Sequence, residues 1–214
     1  MRTVGFTRSQ LDSFRNGTLP DLLGPDVRVL FVGINPGLWT VAAQSHFGRR
    51  GNRFYPALFG AGITDHVIDA STGFRAEDVN HLLDRGVGIT NLVARATARA
   101  DELNANELMA GARALRDRVE QVKPRVVAIL GITAYRLAFG VRKAAVGRQP
   151  EGFEGFEGFE GFEGFEGSKP SKRSQLWVAP NPSGLNAHAS LTGLATAYRE
   201  IALAAGIDVY PRSP

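Results

Sequence analysis

Residues 27–34 (Val-Arg-Val-Leu-Phe-Val-Gly-Ile) are apolar at nearly every position, with Arg28 the exception. A run of this kind suits a strand covered on both faces in a parallel sheet. Residues 125–131 and 176–179 repeat the character, and 87–92 make a shorter fourth candidate. Between these runs the apolar spacing becomes helical. Leu108, Ala112, Leu115 and Val119 are spaced by four, three and four, with Asn104 or Asn106 as a capping residue and an end before Pro124. Residues 133–139 follow the 125–131 strand directly, and Leu191, Leu194, Tyr198, Ile201 and Ala205 form an apolar stripe on a C-terminal helix. Strand then helix, repeated, predicts an α/β fold, a three-layer α/β/α sandwich around a short, mainly parallel central sheet.

The 214 residues suffice for one sizeable core, so a single domain over 1–214 is the expectation. No stretch approaches the roughly eighteen apolar residues of a membrane span, and Met1-Arg2-Thr3-Val4-Gly5 opens no secretory apolar segment. A cytoplasmic protein with no membrane partner, acting as a monomer, is expected. Cysteine is absent, which excludes disulfides, thiolate zinc sites and thiolate-held iron–sulfur clusters. His46, His66, His81 and His188 are scattered without metal-ligand spacing, so neither a bound metal nor another cofactor is expected.

The net charge of +4 hides an asymmetry. Residues 151–167 read as five Glu-Gly-Phe triplets followed by Glu166-Gly167; without their six glutamates the remainder holds 25 basic against 15 acidic residues, a net of +10. A body this basic favours a polyanionic partner, because phosphate contacts release counterions, although basicity alone does not establish one. The triplet period matches no solenoid unit, and glycine at every third position weakens both helix and strand. The tract reads as a mobile low-complexity insertion in a surface loop; the alternatives are regularly spaced phenylalanines acting as stickers, or an acidic segment that mimics a polyanion and competes for the basic groove.

Two apolar runs end in Asn-Pro turns, Asn35-Pro36-Gly37 and Asn181-Pro182-Ser183-Gly184. This places two loops on the sheet edge where open α/β folds gather their ligand-binding segments. Pro36 pushes Asn35 out of the α region, so the strand stops at a fixed place and the Asn35 side chain is presented from a stiff turn. Gly33 and Gly37 permit close approach of backbone to a ligand. The alternative for Asn35 is a structural amide tying its own loop. The spacing is neither a Walker A loop nor a dinucleotide fingerprint.

Four blocks in order carry a more specific pattern. Gly33-Ile34-Asn35-Pro36-Gly37-Leu38, then Phe47 with Gly51-Asn52-Arg53-Phe54-Tyr55, then Gly88-Ile89-Thr90-Asn91-Leu92-Val93, and last Asn181-Pro182-Ser183-Gly184-Leu185 resemble the mismatch-specific uracil-DNA glycosylase and thymine-DNA glycosylase family. The resemblance runs from Val27 to about Ala205 and omits the repeat. It implies an α/β/α sandwich that hydrolyses the bond between a damaged or mismatched base and deoxyribose. Asn35 would position the attacking water, a task its amide carbonyl can perform although it is no strong base. Slower turnover than with a carboxylate is then expected.

The resemblance puts Ile34, Phe47 and Asn91 at the substrate. Phe47 would stack on the extruded base, worth ~1–3 kcal/mol per base; a core phenylalanine is the other reading. Asn91 would meet a pyrimidine edge, or else cap a neighbouring helix. Ser183, Gly184, Leu185 and Asn186 would form the wedge that fills the gap left in the duplex, with the Ser183 hydroxyl on phosphate. Departures from the pattern bear on specificity. Asn186-Ala187-His188 stands where an arginine is common, which puts reading of the opposite guanine in question. Trp39 and Thr40 stand where smaller residues are usual, which tightens the expected pocket wall and favours uracil over thymine. Arg49, Arg50 and Arg53 are either phosphate contacts or surface charges, and Lys169, Lys172 and Arg173 read as a solvated linker.

The expected function is a monofunctional, cofactor-free glycosylase acting on uracil in double-stranded DNA, particularly in G:U mismatches, and on related damaged pyrimidines. No lysine stands in an evident nucleophile position. Two rivals remain: a DNA-damage binding module on the same fold with little turnover, and a nucleotide-binding hydrolase whose turns cradle phosphate.

Overall fold

The continuous apolar runs become parallel strands because each must bury both faces. In the computed structural model, which describes residues 5–150, 153 and 174–211, these are β1 (Val29–Gly33), β2 (Val87–Asn91), β3 (Val126–Leu130) and β5 (Gln175–Ala179). A two-residue strand, β4 (Gly147–Arg148), was not anticipated. The sheet order is β2-β1-β3-β5-β4, parallel throughout except for the antiparallel β4–β5 pair at one edge. The four parallel strands end at Gly33, Asn91, Leu130 and Ala179 on one edge of the sheet. The chain leaves β1 toward β2 and leaves β3 toward β5, so the loops after β1 and β3 part at a switch point.

Alternate residues of each strand feed two cores. Val29, Phe31, Val126 and Ala128 face α3 (Phe54–Gly60) and α7 (Leu191–Ala204), whereas Leu30, Val32, Val127 and Ile129 face α5 (Ala105–Val122) and α6 (Ile132–Phe139). The three-layer α/β/α expectation therefore holds. Three further helices, α1 (Arg8–Asp12), α2 (Leu38–Ala42) and α4 (Ala76–Asp84), complete the described α-helices, with a 3-10 turn at Ala100–Glu102.

Local chemistry sets the helix ends. Asn104, not Asn106, caps α5, accepting from the Glu107 N–H while the Glu107 carboxylate accepts from the Asn104 N–H. At its other end Lys123 adopts the left-handed conformation just before Pro124. In α7, Leu194, Tyr198 and Ile201 are buried as expected, but Leu191, in the first turn, is exposed, and Ala205 is buried as the C-terminal cap and not as a helical residue. Phe153, the one described residue of the Glu-Gly-Phe tract, is buried against Phe139 and bonds through its N–H to Ser174 O. The rest of the tract and the basic trio Lys169, Lys172 and Arg173 lie outside the described residues. No described helix is long and apolar enough to cross a membrane.

Candidate active site

The loops at the C-terminal ends of the parallel strands enclose one cleft. Ile34 and Asn35 reach it from β1, Asn91 from β2, Leu130 from β3, and Asn181, Ser183 and Leu185 from the loop after β5. Phe47 and Arg49 line it from the segment after α2, and Thr97 and Arg99 from the loop after β2. Six of the eight expected site residues, Ile34, Asn35, Phe47, Asn91, Ser183 and Leu185, therefore share a single cleft, although they come from four separate parts of the chain. Gly184 and Asn186 stand behind the lining.

Asn35 is held by one end of its amide. Nδ2 lies 3.2 Å from Pro36 O, 3.1 Å from Arg95 O and 2.7 Å from Thr97 Oγ1. The two carbonyls only accept. Thr97 Oγ1 is restricted to accepting as well, since its single proton goes to Arg99 O at 2.7 Å. Three acceptors therefore fix which end of the amide is nitrogen, and Oδ1 is left with no partner among the described residues. The structural tie uses only the nitrogen end of the side chain.

That arrangement is braced from behind. Arg95, whose carbonyl holds Asn35, sends its guanidinium to both oxygens of Glu107 in the first turn of α5. The hydrogen bond from Arg95, with a second from the Asn104 N–H, pulls the Glu107 carboxyl down to about 2. Thr97 is 2% exposed. Sequence reasoning passed over it, because an isolated threonine in an Ala-rich stretch carries no local signal.

On the facing wall Phe47 sits in the left-handed region at φ 53°, a strained setting for an aromatic residue. Its ring stacks on Phe54 with centroids 4.1 Å apart and planes at 26°. Phe47 is thus both a satellite of the core and a cleft residue, so the two readings are not exclusive. Asn91 presents an amide with no hydrogen bond to a described residue, and caps no helix. Gly33 explains how these side chains fit. A Cβ there would lie 2.5 Å from Asn91 Oδ1 and 3.3 Å from Phe47 Cζ. The close approach that this glycine permits is to two protein side chains, while its own backbone also lines the cleft.

His46 lines the cleft while buried, its Nε2 2.9 Å from Pro20 O. A carbonyl cannot donate, so Nε2 carries the proton, and burial lowers the imidazole's pKa. Trp39 departs from expectation. Its indole N–H donates to Ser71 O and its ring meets Phe6 edge-on at 4.9 Å, so it forms no part of the cleft wall, whereas Thr40 does.

The second Asn-Pro turn is wired internally. Asn181 Oδ1 accepts from Ser183 N, and Asn186 uses both ends of its amide within the loop, donating to Asn181 O and accepting from His188 N. Ser183 Oγ accepts from Leu185 N at 3.3 Å. Leu185 itself is 72% exposed, more than any other large hydrophobic among the described residues. Arg49 and Arg50 are exposed, but Arg53 is turned inward onto loop carbonyls.

Away from the cleft the fold assembles a group that sequence spacing did not reveal. Asp65, His66 and His81 offer ligand-type atoms within 4.8 Å of one another. His66 lies between two carboxylates, 2.6 Å from Asp65 and 2.7 Å from the buried Asp78, which raises its pKa. Both ring nitrogens are thereby committed to the carboxylates.

Residues 20–204 match the protein-family model of the uracil DNA glycosylase superfamily. The chain belongs to that superfamily. Membership supports hydrolytic DNA glycosylase chemistry on uracil-containing DNA. A solution NMR structure of a Methanosarcina acetivorans protein, described as a candidate uracil DNA glycosylase, is similar at 15% identity and a TM-score of 0.49, over 87% of this chain and 98% of that one.

Proposed function

We propose that this chain is a monofunctional, mismatch-specific uracil-DNA glycosylase that hydrolyses the N-glycosidic bond of uracil in duplex DNA, opposite guanine above all, and of related damaged pyrimidines. The observation that carries the reading is the orientation of Asn35, whose Nδ2 is committed to three acceptors so that a partnerless carbonyl remains. That carbonyl accepts one O–H of a water and aims its oxygen at C1′ of the deoxyribose. The C1′–N bond breaks with its electron pair leaving on the base, and the water's proton passes to the departing base or to solvent. Phe47 stacks on the extruded ring through surface not covered by Phe54. The free Asn91 amide donates to the uracil O4 and accepts from N3–H, a pairing that an amide can make with both groups at once.

The exposed Leu185 fills the space the nucleotide vacates. Guanine is not read by the Asn186 amide, both ends of which bond within the loop; because the Leu185 and Asn186 N–H groups and the Asn186 carbonyl are also engaged, backbone groups of Gly184 and Ala187 are left for that purpose. Thr40 on the cleft wall narrows the room for a 5-methyl group and favours uracil over thymine. We take the chain to act as a single domain and a monomer, which sedimentation of the free protein tests.

The deciding experiment is single-turnover release of uracil from a duplex with one G:U pair, comparing the native chain with Asn35→Ala. Release that collapses in the variant while DNA binding survives is expected. Tight lesion binding with no release by the native chain would reject the enzyme and leave a damage-binding module.

A further inference from the structure

Arg53 has a different task from that of a phosphate contact. Its Nη2 donates to Ser183 O and to Asn186 O, each at 2.8 Å, and its Nη1 donates to Ala189 O. Its backbone N–H donates to Pro182 O at 2.9 Å. Nε is sealed from solvent. A guanidinium offers five N–H donors in one rigid plane, and here three of them meet three carbonyls of the loop that follows β5, while the buried Nε–H has no partner among the described residues. Residues 180–190 belong to no helix or strand, so no ladder of backbone hydrogen bonds fixes their shape. The cation takes that role.

The neighbouring backbone completes the seat. A Cβ on Gly184 would lie 2.5 Å from Gly51 O, so the loop rests directly on the main chain of the segment that carries Arg53. Leu185, one residue on, is thrust into solvent. An apolar side chain held out on a braced loop is organised before any duplex arrives, which removes an ordering cost from the binding step.

We propose that Arg53 is a positioning residue, holding residues 183–189 in the shape in which Leu185 enters the duplex. This rests on the glycosylase reading above. With both Nη atoms turned onto loop carbonyls and Nε buried, its charge supports duplex entry without contacting a phosphate.

The test compares single-turnover release of uracil from a G:U duplex and from the same strand alone, for the native chain, Arg53→Lys, Arg53→Gln, Gly184→Ala and Leu185→Ala. Lysine keeps the charge but not the fork, and Gly184→Ala disturbs the same seat without touching Arg53. The duplex-to-single-strand rate ratio is expected to fall about tenfold or more in each variant. Amide exchange across 183–189 should quicken in Arg53→Lys. The salt dependence of duplex binding should keep its native slope in Arg53→Gln.

A ratio unchanged in the Arg53 variants, with Leu185→Ala lowering it, overturns the proposal and spares the wedge. A salt slope reduced by about one identifies a phosphate contact and overturns it too. A ratio unmoved by Leu185→Ala sinks the wedge reading, and a native chain without release sinks the glycosylase reading. In either case amide exchange judges the hold of Arg53 on the loop, and unchanged exchange in Arg53→Lys refutes that hold.

Discussion

A carboxylate is a stronger base than an amide, so Asn35→Asp is the obvious substitution for a faster enzyme. The structure predicts the reverse. The Asn35 Nδ2 faces Pro36 O, Arg95 O and a Thr97 hydroxyl whose proton is already given to Arg99 O, so an oxygen at that place meets three acceptors and no donor. Two N–H donors are lost, and at about 1–2 kcal/mol for each polar group left unmet the cost is about 2–4 kcal/mol. At about 2–4 °C per kcal/mol for a chain of this size, the melting temperature at pH 8 should drop by roughly 4–16 °C. The surrounding oxygens disfavour the ionised form, so the introduced carboxyl titrates above its unfolded value. The sign follows from linkage: the folded state binds the extra proton, the penalty is small below about pH 4, and it grows as pH rises through the folded-state pKa. The assay is thermal unfolding of native and Asn35→Asp protein from pH 4 to pH 8, with single-turnover uracil release at each pH. Release should be slower than native throughout. A variant as stable as the native chain at pH 8, or one that releases uracil faster, refutes the assigned amide orientation.

Thr97→Val removes the shortest of the three contacts to Nδ2 while keeping the side-chain shape, so uracil release should fall about tenfold with duplex affinity retained, whereas Thr97→Ser should stay within about threefold; equal rates for the two would mean that the hydroxyl does not position Asn35. Gly33→Ala places a Cβ 2.5 Å from Asn91 Oδ1 and beside the Phe47 ring, so affinity for a uracil-bearing strand should drop more than affinity for undamaged DNA, measured by competitive binding. His66, held by Asp78 first and Asp65 second, contributes stability that is full below the unfolded histidine pKa near 6.5 and is lost as pH rises through its raised folded value. Half-exposure keeps that contribution below about 1 kcal/mol, and a His66→Gln stability curve should lose this slope between pH 6 and 8.

Much of the fold was legible in the chain because burial on both faces writes a continuous apolar run. The four parallel strands lie within one or two residues of their sequence-derived limits, and α5 starts at its Asn104 cap but runs three residues past the Val119 at which the apolar spacing ended. The β4 edge strand was not legible, since two residues paired at an edge leave no periodicity. The place of Leu191 was misread because an apolar stripe does not say where the core ends, and Leu191 is exposed. At the site, the Asn-Pro turns and the order of the four blocks pointed to Asn35, Phe47, Asn91 and Leu185, and the fold gathers all four on one cleft.

The sequence by itself determined which residues stand at strand ends, since proline and glycine act on their immediate neighbours and buried strands demand apolar side chains. Tertiary structure decided how those residues are used. Thr97 meets Asn35 across 62 positions and Arg53 meets Ser183 across 130, distances over which no local pattern survives. Which end of an amide is committed, whether an arginine faces phosphate or carbonyl, and whether a glycine makes room for ligand or side chain depend on partners that only the folded chain supplies.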